Sequence, residues 1–145
     1  MKDMTATLQI SVVPPAVLDV VWPQTAPLLQ KAIDTTRPRY DIDSVRAGLE
    51  RSELLLWCVF DGTTPIAVMT TRIVEYPNSK ALCLDWIGGE RMKDWLPMAH
   101  DVMRRYGHDN GCTHLEGYGR KAWGRALQKY GWEPEYIAFR MELGE

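Results

Sequence analysis

Hydrophobic positions along the chain switch between a period near two and a period near 3.6, and the switches mark out the elements. Residues 8–13 alternate as a short strand that Pro14-Pro15 stops. Val17, Val20, Val21, Leu28, Leu29, Ala32 and Ile33 then fall near helical spacing, while Trp22-Pro23 and Ala26-Pro27 interrupt it. That pattern predicts one broken helix or two short ones. After Arg37-Pro38, Asp41 or Asp43 caps a second short helix with Val45 and Leu49 inward, ending near Arg51-Ser52. Residues 54–60 and 66–76 are β-branched and aromatic runs around the turn Asp61-Gly62-Thr63-Thr64-Pro65, which predicts a hairpin. Residues 81–87 add a third antiparallel strand, ended by Gly88-Gly89.

From Glu90 the period is helical again: Met92, Trp95, Leu96, Ala99, Val102, Met103 and Tyr106 form one stripe, and Gly107 is placed to end the helix through a left-handed cap. Residues 108–111 make a loop and residues 112–118 a strand. Gly119 opens a further helix with Ala122, Trp123, Ala126, Leu127 and Tyr130 inward and Lys121, Arg125 and Lys129 outward, closed by Gly131. Residues 132–143 return as a last strand, interrupted near Pro134. The order predicts one α/β domain over residues 1–145, without repeat or linker.

Composition narrows the classes. A chain 46% hydrophobic and 25% charged is globular, and seventeen basic against nineteen acidic residues give a net charge of −2, which argues against nucleic-acid and anionic-membrane binding. No apolar run reaches the ~18–20 residues that cross a bilayer, and Met1-Lys2-Asp3-Met4-Thr5 lacks the order of a signal peptide, so a soluble, cytoplasmic protein is expected. Cys58, Cys83 and Cys112 are odd in number, lie in apolar stretches and form no Cys-x-x-Cys pair; they read as packed thiols, and no His or Cys spacing suggests a metal.

From the hairpin onward, the element order resembles the GNAT superfamily of N-acetyltransferases, most clearly over residues 120–132, where Lys129-Tyr130-Gly131-Trp132 matches the family's Lys-x-Gly-aromatic corner after the fourth helix. The resemblance implies a mixed, mostly antiparallel sheet flanked by helices, acetyl-CoA as acyl donor and an amine acceptor that the sequence does not specify. Two departures accompany it. The family's Arg/Gln-x-x-Gly-x-Gly/Ala loop, whose N–H groups hold the donor's pyrophosphate, is represented by Trp86-Ile87-Gly88-Gly89-Glu90-Arg91-Met92-Lys93, with different spacing and an added negative charge. The tyrosine that protonates the departing thiolate, four residues before the corner glycine, is replaced by Leu127. A narrower resemblance, in Gly119-Arg120-Lys121-Ala122-Trp123, is to small GNAT-like proteins of tailed phages, among them internal virion proteins. It implies a host-cytoplasmic or virion protein whose partners are virion proteins and which keeps the fold without catalysis.

The candidate residues follow from the resemblance. Ile87, Gly88, Gly89, Arg91, Lys93 and Arg120 are the expected cofactor-binding set, against the plainer reading of Gly88-Gly89 as a tight turn. Asp85 or Glu116 is the candidate proton relay from the amine, and Tyr118 or Tyr130 the candidate acid. Alternation places Cys83, Asp85 and Ile87 on one strand face and Leu84 and Trp86 on the other. Cys112 and His114, at ~6.5–7 Å spacing, are too far apart to act as a thiol and base. Of the six tryptophans, Trp57, Trp95 and Trp123 are expected in the core, and Trp22, Trp86 and Trp132 near the cleft.

Overall fold

The structure is a computed structural model describing residues 8–35 and 39–144; the Arg37-Pro38 break and the first five residues lie outside the described residues. Strands β1 (Leu8–Val13), β2 (Leu55–Asp61), β3 (Thr64–Glu75) and β4 (Lys80–Gly89) pair antiparallel in succession, and β5 (His114–Gly117) joins the open edge of β4 in parallel. The sheet order is therefore β1-β2-β3-β4-β5. A parallel pair needs a long crossover, which helix α3 (Met92–Asp109) supplies.

The predicted break before the sheet is absent: after a 3-10 turn at Pro15–Val17, helix α1 runs unbroken from Leu18–Ile33. Pro23 and Pro27 each remove one helical N–H, but both lie on the exposed face, where the carbonyls they leave unpaired are open to solvent. Helix α2 (Ile42–Glu50) starts at Asp41, not Asp43: the Asp41 carboxylate accepts from the Ser44 N–H at 2.7 Å and Ser44 Oγ accepts from the Asp41 N–H at 3.0 Å. In α3 the cap also moves. Gly107 stays inside the helix, buried beneath Leu115, while Gly111 takes φ +74° and the N–H groups of Gly111 and Cys112 close on the carbonyls of His108 and Gly107.

The two sheet faces carry two cores. Leu29, Ile33, Val45 and Leu49 of α1 and α2 pack on Leu56, Cys58, Val68 and Trp86; Trp95, Ala99 and Met103 of α3 pack on Trp57, Val59, Met69 and Leu82. Helix α4 (Lys121–Gln128) buries no residue fully, so Trp123 is half-buried and not core. Its far end is pinned to α3, with Tyr130 stacked on His100 at 4.4 Å and the Trp132 indole N–H donating to His100 Nε2 at 2.8 Å.

The expected last strand over residues 132–143 is not formed: residues 133–144 carry no ladder with the five strands. Its alternating pattern is strand-like, but a strand exists only against a partner that takes its backbone hydrogen bonds.

Candidate active site

The β4–β5 ladder runs from Ala81↔His114 to Leu84↔Gly117 and stops there, while β4 continues on the β3 side to Gly89↔Ala67. Two local causes open this gap. Gly117 leads through residues 118–120 into α4, and a bulge sets Asp85 and Trp86 together against Thr70, between the pairs Thr71↔Leu84 and Met69↔Ile87. The bulge also corrects the simple alternation. Trp86 turns into the α1–α2 core, where Tyr40 meets its ring edge-on at 5.1 Å, and Ile87 packs on the α3 side. Tyr118 is 58% exposed, so neither Trp86 nor Tyr118 fills the opening.

Beside the opening lies a polar row that single-strand reading missed. Arg72, Cys83 and Glu116 stand side by side across β3, β4 and β5. Arg72 Nε donates to Asp85 Oδ2 at 2.7 Å and Nη2 to Oδ1 at 3.3 Å, and Cys83 Sγ lies 3.4 Å from the same carboxylate. This pairing holds the Arg72 guanidinium more firmly protonated. Glu116 is gripped separately: its Oε2 accepts from the Tyr76 hydroxyl at 2.7 Å and its Oε1 lies 2.9 Å from His114 Nε2. The bond to Glu116 pushes the Tyr76 phenol up to about 12, because ionising it would place two negative oxygens together. Tyr118 is also raised, chiefly by its hydrogen bond with Tyr136. His114 and Glu116 have the same i, i+2 spacing that separates Cys112 from His114, but the longer glutamate closes the distance. Cys112 lies before β5 and packs with the α3 core.

The β4–α3 corner is short. Gly88 and Gly89 belong to β4, and only Glu90 and Arg91 separate the strand from α3. The glycines answer to packing: a Cβ on Gly88 would sit 2.3 Å from the Leu28 carbonyl oxygen, and one on Gly89, at φ +135°, 2.4 Å from Ala67 Cα. Arg91 is committed to two carboxylates, Asp61 at 2.6 Å and Asp94 at 3.0 Å. Its Nη2 is buried without a hydrogen-bond partner. Lys93 and Arg120 are exposed. Tyr130 packs against α3, stacked on His100. Burial pushes the thiols of Cys58 and Cys83 up to about 12, which keeps them protonated and poor nucleophiles. Among the described residues no group of three or more His, Cys, Asp or Glu could hold a metal ion, and no helix is long and apolar enough to cross a membrane.

No protein-family model and no curated protein matches this sequence. Solved structures do match its fold. An aminoglycoside acetyltransferase from an uncultured soil metagenomic sample, in complex with sisomicin, aligns over 98% of this chain and 100% of its own with a TM-score of 0.69 and 11% identity. A ribosomal-protein-alanine N-acetyltransferase from Brucella melitensis biovar Abortus 2308 aligns over 94% and 99% with a TM-score of 0.70 and 13% identity. This chain has the GNAT fold. A predicted acetyltransferase from Clostridium acetobutylicum, solved with acetyl-CoA, shares that fold at a TM-score of 0.65, 13% identity and coverage of 94% and 96%. Within the GNAT fold, β4 and β5 are the strands that part here at Leu84 and Gly117.

Proposed function

We propose that the protein is an N-acyltransferase that moves an acyl group from a CoA-type thioester to an amine in the opening between β4 and β5. One observation carries the reading: residues 85–89 of β4 run past the end of β5 without a ladder on that side, leaving backbone donors and acceptors for an extended amide-bearing arm. The fit is confined to that arm. Gly88 and Gly89 are packed against protein and Arg91 is neutralised, so no step is assigned to a pyrophosphate cradle there. The exposed cations Lys93 and Arg120 are the residues left to meet donor phosphates.

A bound thioester supplies an acyl carbon activated for attack. Glu116 is the preferred relay: its partners are a phenol and an imidazole, whereas Asp85 is paired with the Arg72 guanidinium. Through water, Glu116 takes the proton the amine loses as the new C–N bond forms and the C–S bond breaks. Tyr118, exposed at the mouth, gives its proton to the leaving sulfur. Calorimetry with acetyl-CoA and acetyl-pantetheine, followed by thiol release with a panel of amines, tests the proposal. Binding of both donors, with turnover falling about 10²-fold or more in Glu116→Gln, is expected. Failure of either donor to bind at millimolar concentration overturns it.

One observation favours a second reading, a non-catalytic protein, phage-encoded and carried in the virion: protein atoms occupy the space around both glycines where phosphate binding was expected. Turnover in the same assay rules that reading out.

A further inference from the structure

A row of hydrogen bonds runs from Glu116 back along β5, away from the opening. Glu116 Oε1 lies 2.9 Å from His114 Nε2, and His114 Nδ1 lies 2.9 Å from Thr113 Oγ1. The row fixes its own protons. Thr113 Oγ1 has one hydrogen to give and faces two acceptors, His114 Nδ1 and the Lys80 carbonyl at 3.1 Å. That carbonyl already accepts from the Thr113 N–H at 2.7 Å, and the Lys80 N–H donates to Oγ1 at 3.4 Å. The hydroxyl is thus an acceptor on the Lys80 side and is left to donate to Nδ1. A neutral imidazole that accepts at Nδ1 carries its hydrogen on Nε2, where it donates to Glu116. The opposite tautomer would set a bare nitrogen 2.9 Å from a carboxylate oxygen. On the other side Tyr76 closes the row: its hydroxyl donates to Oε2 at 2.7 Å and its ring stacks on the imidazole at 6.4 Å. The nearby charges Lys80 and Glu75 lie 3.9 Å from each other.

Resting on the acyltransfer reading of the opening, we infer that Thr113 and His114 are positioning residues for Glu116: Thr113 selects the Nε2–H tautomer of His114, which with Tyr76 fixes the plane of the carboxylate that receives the amine proton. A glutamate side chain left to itself samples many orientations; a donor on each oxygen leaves it one plane, and each oxygen keeps a lone pair for the incoming proton. The Glu116 side chain is 16% exposed and that of His114 39%, so the support stands on the solvent side of the group it holds. Orientation matters here because proton transfer through one water tolerates little misplacement. Residues acting only through Glu116 change turnover without changing donor binding.

Nitrogen-15 spectra of the imidazoles in the free full chain, joined to acetyl-CoA turnover, test this. With the pH raised until the shifts stop moving, His114 is expected as the Nε2–H tautomer, opposite to His100, whose Nε2 accepts from Trp132. Thr113→Val is expected to lose that preference and to lower kcat about 10–100-fold with KM for acetyl-CoA unchanged, while Thr113→Ser keeps the tautomer and a kcat within about 2-fold of wild type. An Nδ1–H tautomer of His114 in the wild type overturns the inference and needs no variant to fold. So does a Thr113→Val variant that is as fast as the wild type, is slowed only through KM, or is matched in its loss by Thr113→Ser. Absence of wild-type turnover overturns the acyltransfer reading itself, and the tautomer in the free protein still decides whether this row holds Glu116.

Discussion

Arg72 Nε lies 2.7 Å from Asp85 Oδ2 across the β3–β4 ladder, and the Asp85 side chain is only 13% exposed. Removing the cation strands a largely buried carboxylate. Arg72→Met is expected to lower stability by about 1–2 kcal/mol, discounted for the partly exposed guanidinium. In a urea double-mutant cycle, Asp85→Asn should cost measurably less in the Arg72→Met background than alone; equal costs would show that the pair is not coupled.

Packing leaves no room for a side chain at Gly88. Gly88→Ala forces a Cβ toward the Leu28 carbonyl, a backbone atom that cannot turn aside, and is expected to destabilise by about 1–3 kcal/mol or more. Gly124, in α4, has open space around it, so Gly124→Ala should stabilise by about 0.5–1 kcal/mol. Thermal melts of the two variants, shifting in opposite directions, check both.

The Tyr76–Glu116 bond predicts an absorbance titration. The phenol ionises at about 12 rather than about 10, and Glu116→Gln should bring it back toward the ordinary value. The folded phenol keeps its proton longer than the unfolded one, so this contribution is intact below pH 10 and is lost as pH rises from there through about 12. A Tyr76 titration unmoved by the substitution would contradict the contact.

His100 gives the acid-side counterpart. Burial first, then Arg104, lowers its pKa below 6.5, against a smaller opposing pull from Asp101, and Nε2 must be unprotonated to accept from Trp132. The unfolded chain therefore binds this proton first: stability is intact above pH 6.5 and falls as pH drops from 6.5 through the lower folded value. Trp132 fluorescence should report loosening of the α4 end over that window, and His100→Gln should flatten the response.

Much of the architecture was legible in the residues themselves. The strand and helix order, the Asp41 start of α2 as one of two choices, and the inward stripe of α3 all follow from local periodicity and capping, which depend on neighbours a few positions away. Register was not legible. Nothing local in Arg72 or Tyr76 says that they will meet Asp85 and Glu116, because those contacts exist only once the strands lie side by side. The bulge at Asp85 and Trp86 likewise reversed which side Trp86 and Ile87 face, since one extra residue inverts a period-two pattern.

The sequence by itself determined an α/β order of strands and helices, glycines at the β4 end and a strand-patterned tail, because composition, capping and periodicity act over short range. Only the tertiary structure decided what those features do. Gly88 and Gly89 are closely packed because α1 and β3 approach there, and a cation from another strand reaches Asp85 while a phenol and an imidazole reach Glu116. The tail stays without a ladder because a strand is completed by an edge, and an edge is a property of the assembled sheet.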